Sequence, residues 1–453
     1  MTSSATHPTA PETTGPAAGP VALAQRLIRF ETVNPPGAER ACVLWIRDLL
    51  DAAGLETRLL SLDPERPNLI ARLPGRGLAE PLLLHAHVDV VPVAGQHWTR
   101  PPFAADVVDG ELWGRGAVDM KGHLAMMLAA LLRLAGTGTP PAGDVILAVV
   151  PDEEAGSGTG ARFLVERHPE LFEGVRHAIG EDGGAELALG RRLRLHPVVV
   201  AEKRACWVRA TVRGEPGHGS RAAGPGGAAH KLLRLLTAID GGGLGTVMTP
   251  VVDRMLAELS AVLPDPYARH LAAFRADPDD AAALAVFEEG DARYLRSLVQ
   301  HTVNATVVHG GTATNVLPAR IDVDLDGRLL PGDFGREDFL ARLRERAGCE
   351  MDLEVLVEGE QMPEPRLDGF YDRLAGILRA KDPQGVPFPM VTTASTDARV
   401  FPRLGIRCFG WFPMRHALDR SYRGRLHCPD ERISVEALEF GADCFHELLA
   451  GHG

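Results

Sequence analysis

The sequence predicts an α/β protein with a mostly parallel sheet, interrupted by an inserted α+β domain. Short apolar runs alternate with helical ones up to about residue 204, a pattern typical of βαβ units. From about residue 205 the strand-like runs alternate apolar and polar residues, which indicates a sheet with one solvated face. A chain of 453 residues also exceeds one typical core, so two domains are expected.

The predicted boundaries follow changes in the character of the sequence. Residues 1–20 are rich in Ser, Thr, Pro, Ala and Gly and contain no apolar run, which predicts a disordered tail and not a signal peptide. We expect residues 21–204 and 361–453 to form the first domain, and residues 205–360 to form the inserted domain.

In the first domain, the apolar spacing from about 21 to 50 is helical, with a loop at the Asn-Pro-Pro-Gly of 34–37. Further along, we predict strands at 68–73, 82–84, 144–150 and 177–181, and helices at 120–134 and 160–167. After residue 360 we predict a helix at 368–380, a strand at 406–410 and a last helix at 435–450.

The inserted domain is predicted to contain strands at 206–212 and 320–326, with a helix at 228–238 between them. The segment 251–298 is charged and rich in alanine. It could be an interaction surface, but a helical elaboration of the domain is the plainer interpretation.

Composition excludes several classes of partner. The formal net charge is −12, which argues against nucleic acid or an anionic membrane as the main partner. The six cysteines include no C-x-x-C pair, as expected for free thiols in a reducing compartment. No apolar run approaches the roughly 20 residues that a membrane span needs. We therefore expect a cytoplasmic protein.

Four segments rich in histidine and carboxylates, at 85–89, 114–122, 151–158 and 178–184, each follow a stretch that is predicted to be a strand. Open α/β sheets bind ligands at the carboxyl ends of their strands, so these side chains should converge on one crevice. Several carboxylates repel each other there unless a cation neutralises them, and imidazole with oxygen ligands suits zinc or a similar divalent metal. The sequence therefore predicts a metal-dependent hydrolase.

Each candidate residue also has a plainer interpretation. His87 and Asp89 share a strand face, so the carboxylate could orient the imidazole, yet such pairs are often incidental. Asp119 precedes a predicted helix and could simply be its N-cap. Glu153 and Glu154 could divide the roles of general base and metal ligand, or form a solvated acidic loop.

The sequence argues against two other kinds of site. The glycine-rich run 156–160 opens a helix after a strand, but it lacks the G-x-G-x-x-G pattern and follows three acidic residues that would repel a pyrophosphate. No G-x-S-x-G sequence occurs, so a serine hydrolase would have no visible nucleophile.

Together the segments resemble the M20 family of metallopeptidases and amidohydrolases, which includes glutamate carboxypeptidase, aminoacylase-1, acetylornithine deacetylase and succinyl-diaminopimelate desuccinylase. The resemblance covers the chain from about Val21 to its C-terminus. Its motifs are 113–121 followed by 152–154, 202–203 followed by 213–220, 315–318 followed by 326–332, and 395–399. His123 and Ser395 stand where glycine is commoner in the family.

The resemblance implies two zinc ions, for which cobalt or manganese may substitute, with Asp119 as the bridging ligand. It implies that one ion is completed by His87 and Glu181 and the other by Glu154 and His427. The last ligand of the first ion could instead be Asp182. A cis peptide bond is implied after the bridging aspartate.

The resemblance also assigns catalytic roles. Glu153 would be the general base, and Asp89 would orient the first histidine. His218, in the inserted lid domain, would stabilise the oxyanion and reach the partner's site in a homodimer formed through the lid.

Asn315 and Arg328 follow the pattern with which family members hold a substrate carboxylate and carbonyl. A planar guanidinium suits a carboxylate because it makes two parallel hydrogen bonds, although Arg328 could merely pair with Asp324 or Asp326. The expected reaction is hydrolysis of an amide or peptide bond in an N-acyl amino acid or dipeptide. The alternative is an inactive relative that serves as a metal-binding or regulatory protein.

Overall fold

The structure is a computed structural model that describes residues 18–182, 193–221, 224–240, 243–415 and 425–452. Most of the predicted tail lies outside the described residues. The chain divides into two compact units. The first takes its described residues from Met1–Glu186, Arg373–Gly385 and Arg403–Gly453, and the second from Leu187–Asp372 and Val386–Pro402. The domain limits drawn from the sequence stay a prediction.

Up to residue 182 the chain alternates helices and strands as predicted. They are α1 (Pro20–Ile28), α2 (Arg40–Ala52), β1 (Glu56–Leu60), β2 (Asn68–Leu73), β3 (Leu82–His87), β4 (Val107–Val108), β5 (Glu111–Trp113), α3 (Lys121–Gly136), β6 (Val145–Val150), α4 (Ala161–Arg167) and β7 (His177–Gly180). The predicted loop at 34–37 separates α1 from α2.

The middle of the chain confirms the predicted strands at 206–212 and 320–326 and the helix at 228–238. Its elements are β8 (Arg194–Glu202), β9 (Arg204–Arg213), β10 (Gly217–His218), α5 (Ala228–Ile239), β11 (Gly243–Thr246), α6 (Pro250–Val262), α7 (Tyr267–Ala276), α8 (Glu289–Ser297), β12 (Gln300–Gly310), β13 (Val316–Leu317), β14 (Arg320–Leu329), α9 (Arg336–Ala347) and β15 (Asp352–Glu358). The segment 251–298 is therefore largely helical, as its plainer interpretation predicted.

The last part of the chain contains α10 (Gly369–Lys381), β16 (Gly385–Thr392), β17 (Arg407–Gly410), β18 (Arg432–Ser434) and α11 (Val435–Ala450). The predicted helix at 368–380, strand at 406–410 and final helix at 435–450 are confirmed. No helix in the described ranges is both long and apolar enough to span a bilayer.

The main sheet of the first unit has the strand order β1-β2-β6-β3-β7-β17. β6, β3, β7 and β17 are mutually parallel, whereas β2 runs antiparallel to β1 and β6. Every residue of β3 and of β6 is buried. Helices cover both faces of a parallel sheet, which explains the unbroken apolar runs. The predicted mostly parallel α/β fold is confirmed.

The second unit contains a five-stranded antiparallel sheet with the order β11-β12-β14-β9-β15. Alternate residues of β9, such as Val208 and Ala210, are buried in a core with residues of α5 and α9. Trp207 and Arg209, which alternate with these buried residues, are at least partly exposed. The alternation in the sequence thus reflects one packed face and one polar face, as predicted.

Candidate metal centre

Three of the four predicted polar segments meet because their strands are parallel neighbours. His87 is the last residue of β3, Glu153 and Glu154 lie in a 3-10 turn just after β6, and Glu181 follows β7 directly. The order β6-β3-β7 places β3 between the other two strands. Their carboxyl ends therefore share one edge of the sheet, where ligands of open α/β sheets are expected.

Asp119 reaches this edge by another route. Its segment follows the strand β5, as predicted, but β5 belongs to a small separate sheet of the order β18-β5-β4. The N-cap of α3 is Met120 and makes no side-chain capping bond, so the N-cap interpretation of Asp119 is wrong. The peptide bond between these two residues is cis, as the resemblance implied.

The carboxylate of Asp119 lies between two histidines. Its Oδ1 is 3.1 Å from Nε2 of His87, and its Oδ2 is 3.1 Å from Nε2 of His427. The two imidazoles differ in their surroundings, since the His87 side chain is 1% exposed and the His427 side chain is 53% exposed. One carboxylate thus offers one oxygen to each of two adjacent sites.

A second carboxylate accompanies each histidine. Oε2 of Glu181 is 3.3 Å from Nε2 of His87, and Oε2 of Glu154 is 3.4 Å from Nε2 of His427. The other oxygen of Glu154, Oε1, is buried and has no hydrogen-bond partner among the described residues. The structure therefore brings together all five predicted ligands, and the carboxylate of Glu181 faces His87. The choice of Glu181 over Asp182 as the metal ligand stays a prediction.

Potential ligand atoms cluster in two groups that share His87. His87, Asp119 and Glu154 form one group and His87, Glu153 and Glu181 the other, with the ligand atoms of each group within 4.8 Å of one another. Both glutamates of the turn therefore lie close enough to act at this centre. The division of labour between base and ligand stays a prediction.

The electrostatics of the cluster favour charged groups despite burial. Burial lowers the pKa of His87, but the charge of Glu181 and the hydrogen bond to Asp119 outweigh it and raise the pKa well above its usual value. Burial likewise raises the pKa of Asp119, yet hydrogen bonds from His427 and His87 bring it below its usual range. A metal ion would replace the imidazolium protons, because a histidine ligand must be deprotonated.

Asp89 supports the turn that carries the two glutamates. Its carboxylate accepts hydrogen bonds from the backbone N–H groups of Glu153 at 3.2 Å and Glu154 at 3.1 Å, and from the amide of Asn34 at 2.8 Å. Nδ1 of His87 is 3.0 Å from the backbone oxygen of Asp89 and 3.4 Å from its carboxylate. The predicted contact with His87 is present, and the same carboxylate also holds the turn.

Sequence reasoning missed the polar network behind Asp89. Asn34 also donates to Asp152 at 3.3 Å, Arg66 donates to the same carboxylate at 3.1 Å, and Arg66 pairs with the fully buried Glu39 at 2.8 Å. These residues come from four separate segments of the sequence. The loop signal at 34–37 was visible, but nothing in it pointed to a partner more than fifty residues away.

Sequence reasoning also missed Glu431. This fully buried carboxylate accepts hydrogen bonds from the backbone N–H groups of Val118 at 2.8 Å and Asp119 at 3.1 Å. It also pairs with Arg115 at 2.7 Å. The sequence signal for Glu431 was its position, four residues after the candidate ligand His427.

The remaining predicted residues, His218, Asn315 and Arg328, lie in the second unit. His218 pairs with Val316 across β10 and β13, and the N–H of Gly219 donates to the backbone oxygen of Asn315 at 2.7 Å. The second unit thus brings His218 and Asn315 onto neighbouring segments. The imidazole of His218 is exposed and its Nδ1 lies 2.8 Å from Oγ of Ser220.

Arg328 lies on β14 and pairs with Asp326, the partner named by its plainer interpretation. Its Nε donates to Oδ1 at 2.7 Å and its Nη2 to Oδ2 at 3.1 Å. The guanidinium also lies over the ring of Trp207, 5.9 Å from the centroid. Its role in substrate binding stays a prediction.

Comparison with known proteins identifies the family. Residues 83–451 match the sequence model of peptidase family M20/M25/M40. The chain belongs to this family. Aminoacylase-1 of Sus scrofa is 27% identical over 438 residues, covering 95% of this chain and 94% of the relative.

Two solved structures share the fold. An M20 family metallo-carboxypeptidase from Sulfolobus solfataricus gives a TM-score of 0.67 at 17% identity, covering 96% of this chain and 99% of that one. A dinuclear metal-binding peptidase of the M20 family from Bacillus subtilis gives a TM-score of 0.57 at 15% identity, covering 95% and 97%. The chain is therefore a hydrolase of the M20 family, whose members carry out metal-dependent hydrolysis of amide or peptide bonds.

Proposed function

We propose that the protein is a dizinc amidohydrolase that cleaves the amide bond of a small carboxylate-bearing substrate, either an N-acyl amino acid or a dipeptide. The observation that carries this proposal is the carboxylate of Asp119, which offers one oxygen to each of two histidines 3.1 Å away. An aspartate with a purely structural role would not need a histidine beside each of its two carboxylate oxygens.

The residues present fit two divalent ions. His87 and Glu181 would hold one ion, Glu154 and His427 the other, and Asp119 both. Imidazole nitrogens and carboxylate oxygens suit zinc, and also cobalt or manganese. The buried, unpartnered Oε1 of Glu154 supports this fit, because an isolated buried carboxylate oxygen is costly unless a cation or donor satisfies it. One fold relative is itself described as dinuclear.

Divalent ions bound here would act as Lewis acids, which lower the pKa of water towards neutrality and polarise a carbonyl group. Glu153 would take the proton from the attacking water and deliver it to the departing amine. Asp89 would keep Glu153 in place through the turn described above. His218 would donate a hydrogen bond to the developing oxyanion.

The similarity to aminoacylase-1 over 95% of the chain supports an N-acyl amino acid as the first substrate to test. Asn315 and Arg328 would bind its carbonyl and carboxylate. A homodimer formed through the inserted domain stays a prediction, which sedimentation would test. The alternative of an inactive relative has no observation in its favour, because the donor set and Glu153 are both present.

Replacement of Glu153 by glutamine tests the proposal. The substitution keeps the size of the side chain but removes the base, so hydrolysis of N-acetyl amino acids and dipeptides should fall by roughly 10²–10⁴-fold. Zinc content, measured by elemental analysis, should match that of the wild type. The exposed Glu173 provides the control, since Glu173→Gln should be fully active. Loss of zinc in Glu153→Gln would instead make Glu153 a ligand and reverse the assigned roles.

A further inference from the structure

A chain of hydrogen bonds between side chains and backbone links His427, the exposed histidine of the proposed centre, to Asp119. Glu431 accepts the backbone N–H of Asp119 at 3.1 Å through Oε1, and its Oε2 accepts from Nη1 of Arg115 at 2.7 Å. Both side chains are nearly inaccessible, at 0% for Glu431 and 1% for Arg115. The position of the Asp119 backbone is therefore set from within the core.

Arg115 extends this contact toward the surface. Its Nη2 donates to Oε1 of Gln96 at 2.8 Å, and its guanidinium lies over the ring of Trp98, 5.1 Å from the centroid. The indole N–H of Trp98 donates to the same Gln96 oxygen at 3.1 Å. The orientation of the Gln96 amide follows from this, because two donors fix which end carries the oxygen.

The other end of that amide holds the histidine. Nε2 of Gln96 donates to the backbone oxygen of His427 at 2.8 Å, while the imidazole of His427 faces Asp119 at 3.1 Å. The contacts close a ring from Asp119 through Glu431, Arg115 and Gln96 to His427 and back to Asp119. His427 lies in a loop with a positive φ of 59°, and its side chain is half-exposed. Burial therefore does little to hold it in place.

We infer that Gln96, Arg115 and Glu431 form a brace that positions His427 against Asp119, and so sets the affinity of the second metal position. The inference rests on the proposed dinuclear function. The three brace residues touch no proposed substrate atom, so they are positioning residues. Hydrogen-bond partners behind metal ligands commonly change metal affinity by about 10–100-fold.

Gln96→Glu isolates the link to His427. The carboxylate still accepts from Arg115 and Trp98, but it presents an oxygen instead of an N–H group to the His427 carbonyl. An added negative charge near a cation site would by itself raise metal affinity. The brace predicts the opposite sign, which separates positioning from simple electrostatics.

The measurement is competition between the full-length protein and a chromophoric chelator for Zn²⁺. In Gln96→Glu one of the two zinc equivalents, the one held by His427, should lose about tenfold in affinity, while the other equivalent and the thermal unfolding of the metal-free protein stay unchanged. Gln361 is the matched control, because its amide also donates to a backbone oxygen, that of Gly332 at 3.1 Å. Gln361→Glu should bind zinc as the wild type does.

Equal or higher affinity of both equivalents in Gln96→Glu would overturn the brace, as would an equal loss at both. If the proposed dinuclear function is wrong, the same titration of the wild type would show a single zinc equivalent, so the two failures can be told apart. Glu431 and Arg115 are less suitable for substitution, because a change to either would leave the other as an unpaired buried charge.

Discussion

Replacement of Asp89 by asparagine would show how firmly the turn with Glu153 and Glu154 must be held. The carboxylate of Asp89 is fully buried and accepts two backbone N–H groups of that turn at 3.2 and 3.1 Å. Burial raises its pKa, but the hydrogen bond and charge of His87 outweigh this and leave the pKa below its usual value. The acceptor is therefore an ionised carboxylate.

Asparagine keeps one oxygen and converts the other to an NH2 group. In either orientation the NH2 faces a backbone donor, because Oδ1 accepts from Glu153 and Oδ2 from Glu154. At least one charge-assisted hydrogen bond is lost, worth about 1.5–3 kcal/mol, which corresponds to roughly 10–150-fold in rate. The contact of His87 with the backbone oxygen of Asp89 is retained.

The assay is steady-state hydrolysis of an N-acyl amino acid by zinc-loaded protein, together with zinc analysis. We expect kcat to fall by about one to two orders of magnitude while most of the zinc is retained, because the base moves more than the ligands. Asn34→Ala, which removes one donor to Asp89, should have a smaller effect in the same direction. Unchanged kcat in Asp89→Asn would refute the claim that this carboxylate holds the turn.

Two other predictions use residues of the second unit. Burial and the charge of Lys203 lower the pKa of His301 to about 4. Between about pH 6.5 and 4 the imidazole is therefore protonated in the unfolded chain but not in the folded one, and the free energy of unfolding falls as the pH falls. The wild type should therefore lose about 2 kcal/mol more unfolding free energy than His301→Asn from pH 7 to 5 in urea titrations, and equal losses would contradict this. If Arg328 binds the substrate carboxylate, Arg328→Lys should lower kcat/KM by at least ~10-fold for the free acid and by less for its amide, whereas unchanged kinetics would leave Arg328 as the partner of Asp326.

Most of the fold could be predicted because its core strands are short apolar runs. β2, β3, β6 and β7 match the predicted ranges within a few residues. The strands that were missed include β12 and β15, whose residues are mostly exposed, and β16, which contains proline and glycine. β12, for example, is exposed along most of its length, so neither a continuous run nor a clean alternation marks it.

The ligands could be predicted, but their supports could not. His87, Glu154 and Glu181 lie at or just beyond the ends of buried strands, and that position is visible in the sequence. Asn34, Arg66 and Glu431 act through hydrogen bonds to residues 27 to 316 positions away, and ordinary polar residues give no local sign of such contacts. The partner of Arg328 was foreseen only as an alternative, because both Asp324 and Asp326 lie on the same strand face.

The most direct test of the account is the zinc content of wild type and Asp119→Ala after dialysis, measured by elemental analysis. Because one carboxylate serves both positions, the wild type should hold about two zinc ions per chain and Asp119→Ala well below about one. Asp89→Ala should retain more zinc than Asp119→Ala, since its carboxylate acts behind the ligands. Equal zinc content in Asp119→Ala and the wild type would contradict the shared carboxylate, and with it the dinuclear centre.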